Sequence, residues 1–183
     1  TEELRPGAAE TVEHFSTLGI DFKIISGDHP GSVEALASQV GISGAPEVVS
    51  GIDLQEMDEG QFENVAREAT IFGRITPQQK ERLMAAFRKL GHYVAMIGDG
   101  VNDVLSLKQA NLGVAMESGS GATRGVADVV LLGDSFEALP IALREGQRIV
   151  KGMEDVVRLL LTRTFYLLLL IVAPRLAGAP FPI

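Results

Sequence analysis

A chain of 183 residues with a formal net charge of −8 and no cysteine can bury one sizeable core. It offers neither disulfides nor thiolate metal sites, and its charge excludes a nucleic-acid binder that works by neutralising phosphates. The charge is uneven. Lys151, Arg158, Arg163 and Arg175 outweigh Glu154 and Asp155, so residues 151–183 carry +2 and the first 150 residues carry −10. An acidic front and a basic, apolar tail imply two environments. The start, Thr1-Glu-Glu-Leu-Arg, has no signal-peptide pattern and no Met, so a segment of a longer chain is expected.

In chain order, residues 4–15 read as a loop entering a helix with Pro6 near its first turn, Val12, Phe15 and Leu18 inward and Gly19 as its stop. Residues 21–26 read as a strand ending in Ser26-Gly27-Asp28. Residues 30–40 read as a helix burying Val33, Leu36, Ala37 and Val40. Residues 47–50 suggest a short strand. Residues 58–68 suggest a capped helix with Phe62, Val65 and Ala66 inward. Residues 70–75 are a strand. Thr76-Pro77 then opens a helix to Leu90, with Leu83, Phe87 and Leu90 on one face. The apolar run 93–97 has the character of a buried parallel strand. A helix over 101–110, a strand over 112–116, a Gly/Ser-rich loop over 117–121, a short helix to 127 and a strand over 128–132 complete the alternation. That order points to an α/β fold with a Rossmann-like, doubly wound parallel sheet. Met96, Met116 and Met153 read as core residues.

From Ser135 the pattern changes. Residues 136–173 predict one long helix, with Gly146 or Gly152 as possible interruptions and Pro174-Arg175 as its end. Residues 159–173 are apolar on all faces apart from Thr162, Arg163 and Thr164. That run is shorter than the roughly 20 residues a membrane span needs, and Arg158 and Arg163 could reach back to a membrane surface. A membrane helix is expected; a buried core helix, or one for another subunit, is the competing reading.

The chemistry collects at strand ends, where open α/β sheets bind ligands. Gly98-Asp99-Gly100-Val101-Asn102-Asp103 puts two carboxylates and a carboxamide within five residues of a strand. Gly98 and Gly100 allow tight backbone there. Asp99 and Asp103 supply hard oxygens suited to Mg²⁺, although an acidic turn capping the next helix would look similar. Ser26, Gly27, Asp28 and Lys80 follow other strands or open the next helix, so all can converge on one crevice. A hydroxyl, backbone amides, a lysine and metal carboxylates together suit a phosphoryl group. His14, His29 and His92 have no ligand spacing. Gly119-Ser-Gly-Ala-Thr123 could cradle a phosphate but lacks a lysine, and a strand-to-helix turn is the simpler reading.

Ile24-Ile-Ser-Gly-Asp28, Arg74-Ile-Thr-Pro-Gln-Gln-Lys80 and Met96-Ile-Gly-Asp-Gly-Val-Asn-Asp-Val-Leu-Ser-Leu107 resemble three consecutive motifs of the phosphorylation domain of P-type (E1–E2) ATPases, cation pumps of the haloacid dehalogenase (HAD) superfamily. The likeness continues through residues 110–116, 127–132 and Phe136 into the long helix, where it matches the stalk and fifth membrane helix. The resemblance implies the C-terminal half of a HAD-like phosphorylation domain over residues 1–134, a stalk over 135–158, and a membrane helix with a short apolar loop over 159–183. It implies Mg²⁺ as cofactor and ATP as substrate. Ser26 and Gly27 would hold the transferred phosphoryl, with Asp28 contributing to nucleotide and Mg²⁺ contacts. Lys80 would pair with the phosphate and the phosphorylated aspartate, and Asp99 would ligate Mg²⁺. Asn102 and Asp103 would orient the phosphoryl oxygens and the metal shell, Asp103 as a second metal residue, and Arg74 would face the nucleotide. A multi-pass parent in a bacterial plasma membrane is implied, with residues 1–150 cytoplasmic.

The sequence departs from that pattern at one place that matters. The family's nucleophile lies in Asp-Lys-Thr-Gly-Thr, and no such string occurs here. The resemblance therefore implies that the rest of the same polypeptide supplies the nucleophile, with the nucleotide-binding and actuator domains and the other membrane helices, and that this chain alone forms no aspartyl-phosphate. The transported cation is a further partner, and no nucleic acid is. A phosphatase fragment of the same superfamily and a non-catalytic Mg²⁺- or phosphate-binding module are the alternatives.

Overall fold

In the computed structural model, residues 7–42, 47–176 and 178 are described. Among the described residues six strands and eight α-helices follow in order: α1 (Ala8–Thr17), β1 (Ile24–Ile25), α2 (Pro30–Gln39), β2 (Val48–Ser50), α3 (Gly51–Gln55), α4 (Glu59–Glu68), β3 (Ile71–Gly73), α5 (Pro77–Lys89), β4 (Ala95–Gly98), α6 (Val104–Gln109), β5 (Leu112–Met116), α7 (Gly121–Val126), β6 (Val129–Leu131) and α8 (Ala138–Leu176). All pairing is parallel. The strands form two three-stranded sheets, in the orders β1-β3-β2 and β4-β5-β6. Among the described residues β1 pairs only with β3 and β4 only with β5, so each leaves one edge without a strand beside it.

One apolar cluster serves both sheets. It joins Phe72 of β3 and Met96 of β4 to Leu83, Met84, Ala86 and Phe87 of α5, Phe62 and Ala66 of α4, and Leu107 of α6. The α5 helix is the common element, and its start is strongly specified. Thr76 Oγ1 accepts from Gln79 N, Gln79 Oε1 accepts from Thr76 N, and Pro77 occupies the first turn where its missing N–H costs nothing. The Gln79 amide, buried, also donates to Gly51 O at 2.6 Å, which ties the end of β2 to the same helix. Asp58 and Gln61 form a second capping box at α4.

Several sequence expectations shift. The strand expected over 21–26 narrows to Ile24–Ile25. Thr11, not Val12, is the buried residue of α1, and Leu18 is exposed. Tyr93 lies outside β4 and is 79 % exposed. α3 is an additional helix, started by Ser50 and Asp53 in a capping box. The Val101–Asp103 stretch forms a single 3₁₀ turn before α6. Pro6 lies outside the described residues.

The chain divides into two compact units, Thr1–Pro140 and Ile141–Ile183. The second is built on α8, which runs 39 residues without a break at Gly146 or Gly152 and continues through Pro174 to Leu176. At 1.5 Å per residue it is about 58 Å long. It is long and apolar enough to cross a membrane, with an 18-residue window of mean hydropathy 2.0. Most of its apolar side chains beyond Pro140 are open, Met153 included at 63 %, so Met153 is not the core residue its type suggested.

Lys23 secures the far end of α4. Its Nζ donates to Ala69 O at 2.6 Å and Arg67 O at 3.0 Å, and lies 5.5 Å from the centre of the Phe87 ring. Burial holds its pKa below the ordinary lysine value of 10.5, against the opposing pull of Asp21 and Glu47. Below that lowered value both folded and unfolded chains carry the charge, so its burial penalty is fully present. Stability from this group rises with pH between the lowered value and 10.5, where the unfolded chain holds more protons. Lys23→Met is expected to lower stability by about 1–3 kcal/mol through the orphaned carbonyls, and to flatten that alkaline rise. Urea unfolding in detergent at neutral and alkaline pH measures both effects.

Candidate functional site: a buried lysine–aspartate pair beside an open carboxylate

Loops at the C-terminal ends of β1, β3 and β4 carry the candidate residues. At β1, Ser26 Oγ donates to Asp28 Oδ2 at 2.7 Å and accepts from Asp28 N at 3.1 Å, a compact turn that holds the hydroxyl at the strand end. The loop after β3 is stitched to it by main chain: Arg74 N donates to Asp28 O at 2.7 Å and Ile75 N to Ser26 O at 2.9 Å. Arg74 is left-handed, at φ +53°, with its side chain exposed. Two residues on, Thr76 starts α5, which carries Lys80 in its first turn.

Lys80 reaches across to the turn after β4. Its Nζ lies 2.6 Å from Asp103 Oδ1, with the two side chains only 13 % and 8 % exposed. The other oxygen, Asp103 Oδ2, accepts from Gly100 N at 3.1 Å and Asp99 N at 3.3 Å. Both oxygens of Asp103 are therefore engaged. This geometry explains Gly98: a Cβ there would stand 2.6 Å from Asp103 Cβ and 2.9 Å from Asp103 Cγ, so a side chain would displace the aspartate. Gly100 meets only ordinary contacts and its φ is negative, so its backbone needs no glycine.

Asp99 is the contrast. It is exposed, and its carboxylate has no hydrogen bond or ion pair among the described residues. Asn102 is likewise exposed, with no side-chain partner among them. The structure thus brings Lys80, Asp103 and the Asp99 main chain into direct contact. It links Ser26, Asp28 and Arg74 to the same helix start through backbone bonds. No hydrogen bond joins Lys80 to Ser26 or to the Asp99 carboxylate among the described residues; the Ser26 hydroxyl is bonded to Asp28.

The donor set suits Mg²⁺. Mg²⁺ takes one or two carboxylates and keeps several waters or phosphate oxygens. One open carboxylate at a strand end, with a second at 5 % exposure directly behind it, suits that habit. No group of three or more His, Cys, Asp or Glu exists among the described residues, which does not suit an ion that needs a cage of protein ligands. His29 caps α2, accepting from Gly31 N at 3.2 Å.

The sequence names Ser106, Ser120 and Thr123 within its motifs but does not assign them the role behind the site that the structure gives them. Ser106, fully buried, donates to Asp103 O at 2.9 Å. Ser120 N donates to Asp99 O at 2.8 Å, and Thr123 Oγ1 lies 3.3 Å from the same oxygen. The available signal was small hydroxyl residues at helix starts, directly after each strand.

Comparison with known proteins places the chain in a family. The family model for haloacid dehalogenase-like hydrolases matches residues 1–111, and the chain belongs to that family. Among relatives it is 42 % identical over 177 residues to the calcium-transporting ATPase CtpE of Mycolicibacterium smegmatis, covering 97 % of this chain and 22 % of that protein. It is 37 % identical to the probable cation-transporting ATPase exp7 of Streptococcus pneumoniae, covering 93 % of this chain and 22 % of that one. The chain thus spans about a fifth of the length of these relatives. A solved catalytic domain of the CPx-ATPase CopB-B, studied for its changes on nucleotide binding, matches with a TM-score of 0.59 at 25 % identity, over 76 % of this chain and 45 % of that one.

Removing one partner of a buried pair leaves the other charged and unsolvated, which costs about 3–5 kcal/mol. Lys80→Met and Asp103→Asn are each expected to destabilise strongly, so Lys80 substitutions affect the fold as well as any chemistry. The double substitution is expected to lie closer to either single one than to their sum. Urea unfolding across the four-membered cycle checks this, and additive effects would show that the pair contributes nothing jointly.

Proposed function

We propose that this chain is the Mg²⁺- and phosphate-binding half of the phosphorylation domain of a P-type cation pump, continued into its stalk and a membrane helix. The observation that carries the reading is the buried Lys80–Asp103 pair set against the open carboxylate of Asp99. Around it lie the Ser26–Asp28 turn and Arg74, tied to the Lys80 helix by main chain.

In this reading the aspartate that accepts the phosphoryl group comes from the remainder of the polypeptide. The unpaired edges of β1 and β4, both parallel and both backed by the α5 cluster, are where a further parallel strand would enter. The strand's aspartate oxygen would bond to the γ-phosphorus of ATP, with ADP leaving. Ser26 Oγ and the Gly27 amide would hold the phosphoryl oxygens. Lys80, kept in place by Asp103, would offset the charge that builds on them. Asp99 would ligate Mg²⁺, with Asp103 and Asn102 orienting the surrounding shell and Arg74 facing the nucleotide. Bound Mg²⁺ would supply charge neutralisation and orientation of the phosphoryl oxygens.

The α8 helix favours a pump over a soluble phosphatase or a non-catalytic module, because a soluble domain has no use for an exposed apolar rod of this length. The stalk then occupies residues 135–158 and the membrane helix begins at about residue 159, with residues 1–150 on the cytoplasmic side. The cargo is a metal cation, and Ca²⁺ is the first to test, given the calcium-transporting relative. Residues 159–173 hold no Asp, Glu or Asn, so this stretch of α8 can offer a cation only the side chains of Thr162, Thr164 and Tyr166.

In the full-length pump, Asp99→Asn is expected to reduce Mg²⁺-dependent aspartyl phosphorylation from labelled ATP to background while leaving the fold intact. Phosphoenzyme at the wild-type level in that variant would remove Asp99 from the chemistry.

A further inference from the structure

We infer that the turn after β5 and the start of α7, residues 119–123, are a positioning element for Asp99, with Gly119 and Thr123 its working residues. The inference rests on the reading of Asp99 as the divalent-cation ligand and adds how that ligand is aimed. Asp99 stands at an exposed strand end, and nothing among the described residues holds its carboxylate. With only two side-chain torsions, the carboxylate goes where its main chain puts it. That main chain is gripped from both sides. In front, Asp103 Oδ2 takes the Asp99 N–H at 3.3 Å. Behind, the Asp99 carbonyl accepts from Ser120 N at 2.8 Å, and the Thr123 hydroxyl lies 3.3 Å from it.

The rear grip is itself braced. Thr123 is fully buried, and its hydroxyl donates to Ser120 O at 2.7 Å with Ser120 Oγ 2.8 Å away, so it holds the residue whose N–H meets Asp99 O. Gly119 N donates to Met116 O at 3.1 Å. The Arg124 guanidinium donates to the carbonyls of Glu117 and Gly119. Ser118 N and Gly133 N reach Asp134 Oδ1 and Glu117 Oε2, which joins the loop to the turn after β6. A free-standing strand-to-helix turn needs only its Ser120 cap; the remaining bonds hold in place the segment whose Ser120 N–H reaches Asp99 O.

Gly119 sets the spacing. A Cβ there would lie 2.9 Å from Asp99 O and 3.1 Å from Asp99 Cα, and 3.0 Å from Met116 O. Any side chain must therefore push Asp99 or the end of β5, and Asp99 is the exposed one. Residues that orient a metal ligand from behind typically change metal affinity by about 10–100-fold when altered, because a ligand a fraction of an ångström out of place binds poorly.

The test uses Mn²⁺ as the probe in the full-length pump, with free Mn²⁺ read by electron paramagnetic resonance. The binding lost in Asp99→Asn defines the site. Gly119→Ala is expected to weaken that binding roughly 10-fold and Thr123→Val several-fold. Thr123→Ser, which keeps the hydroxyl, is expected to remain within about twofold of wild type on the same scale. Thermal unfolding is followed in parallel, and should Gly119→Ala fail to fold, the Thr123 pair decides alone. Equal Mn²⁺ affinity in wild type, Thr123→Val and Thr123→Ser, with the site lost in Asp99→Asn, overturns the positioning role and leaves the reading of Asp99 standing. Unchanged Mn²⁺ binding in Asp99→Asn overturns that reading, and the positioning role with it.

Discussion

The site depends on one ion pair formed across 23 positions of sequence, Lys80 to Asp103 at 2.6 Å. Alone, either group at that depth would be costly to bury. Together they fasten the first turn of α5 to the loop after β4, and the second oxygen of Asp103 organises that loop through two amides. The pair is thus both a joint between the two sheets and the frame that leaves Asp99 open. Its position follows from α5, whose capping box fixes where the helix begins and so which residue lies in reach.

Around that joint, main-chain bonds rather than side chains set most of the geometry. The β1 and β3 ends are tied through Asp28 O and Ser26 O, and the β4 and β5 ends through Asp99 O. Such bonds hold whatever the side chains do, which leaves the exposed groups available for a ligand. Family membership and the transporting ATPases among its relatives give this arrangement its context. The geometry itself needs only short loops after parallel strands, with glycine where two backbones meet.

Much of the fold was legible because its signals are local. Thr76-Pro77 with Gln79 announces a helix start, and Leu112–Met116 is a strand with the bounds its apolar run suggests. Errors arose where the deciding term is not local. Tyr93 belongs to an apolar run, yet which residue first enters a ladder depends on the neighbouring strand. The five-residue α3 was hidden by its length, although Ser50 and Asp53 are a readable box. Gly146 and Gly152 each lower helix propensity by about 1 kcal/mol relative to alanine, too little to break a helix of 39 residues. At the site, sequence grouped Asp99 with Asp103 as two similar acids. Only tertiary placement separates them, one open and one buried with both oxygens engaged.

Arg74 carries a last consequence. Its left-handed backbone, at φ +53°, is a conformation in which a residue with a Cβ stores on the order of 1–2 kcal/mol. Glycine would adopt the same shape without that penalty but would surrender the guanidinium. Robustness and charge therefore pull in opposite directions at a single position. A selection for heat tolerance alone would drift toward the smaller residue, whereas any use of the guanidinium would keep the arginine and tolerate the tension in its main chain.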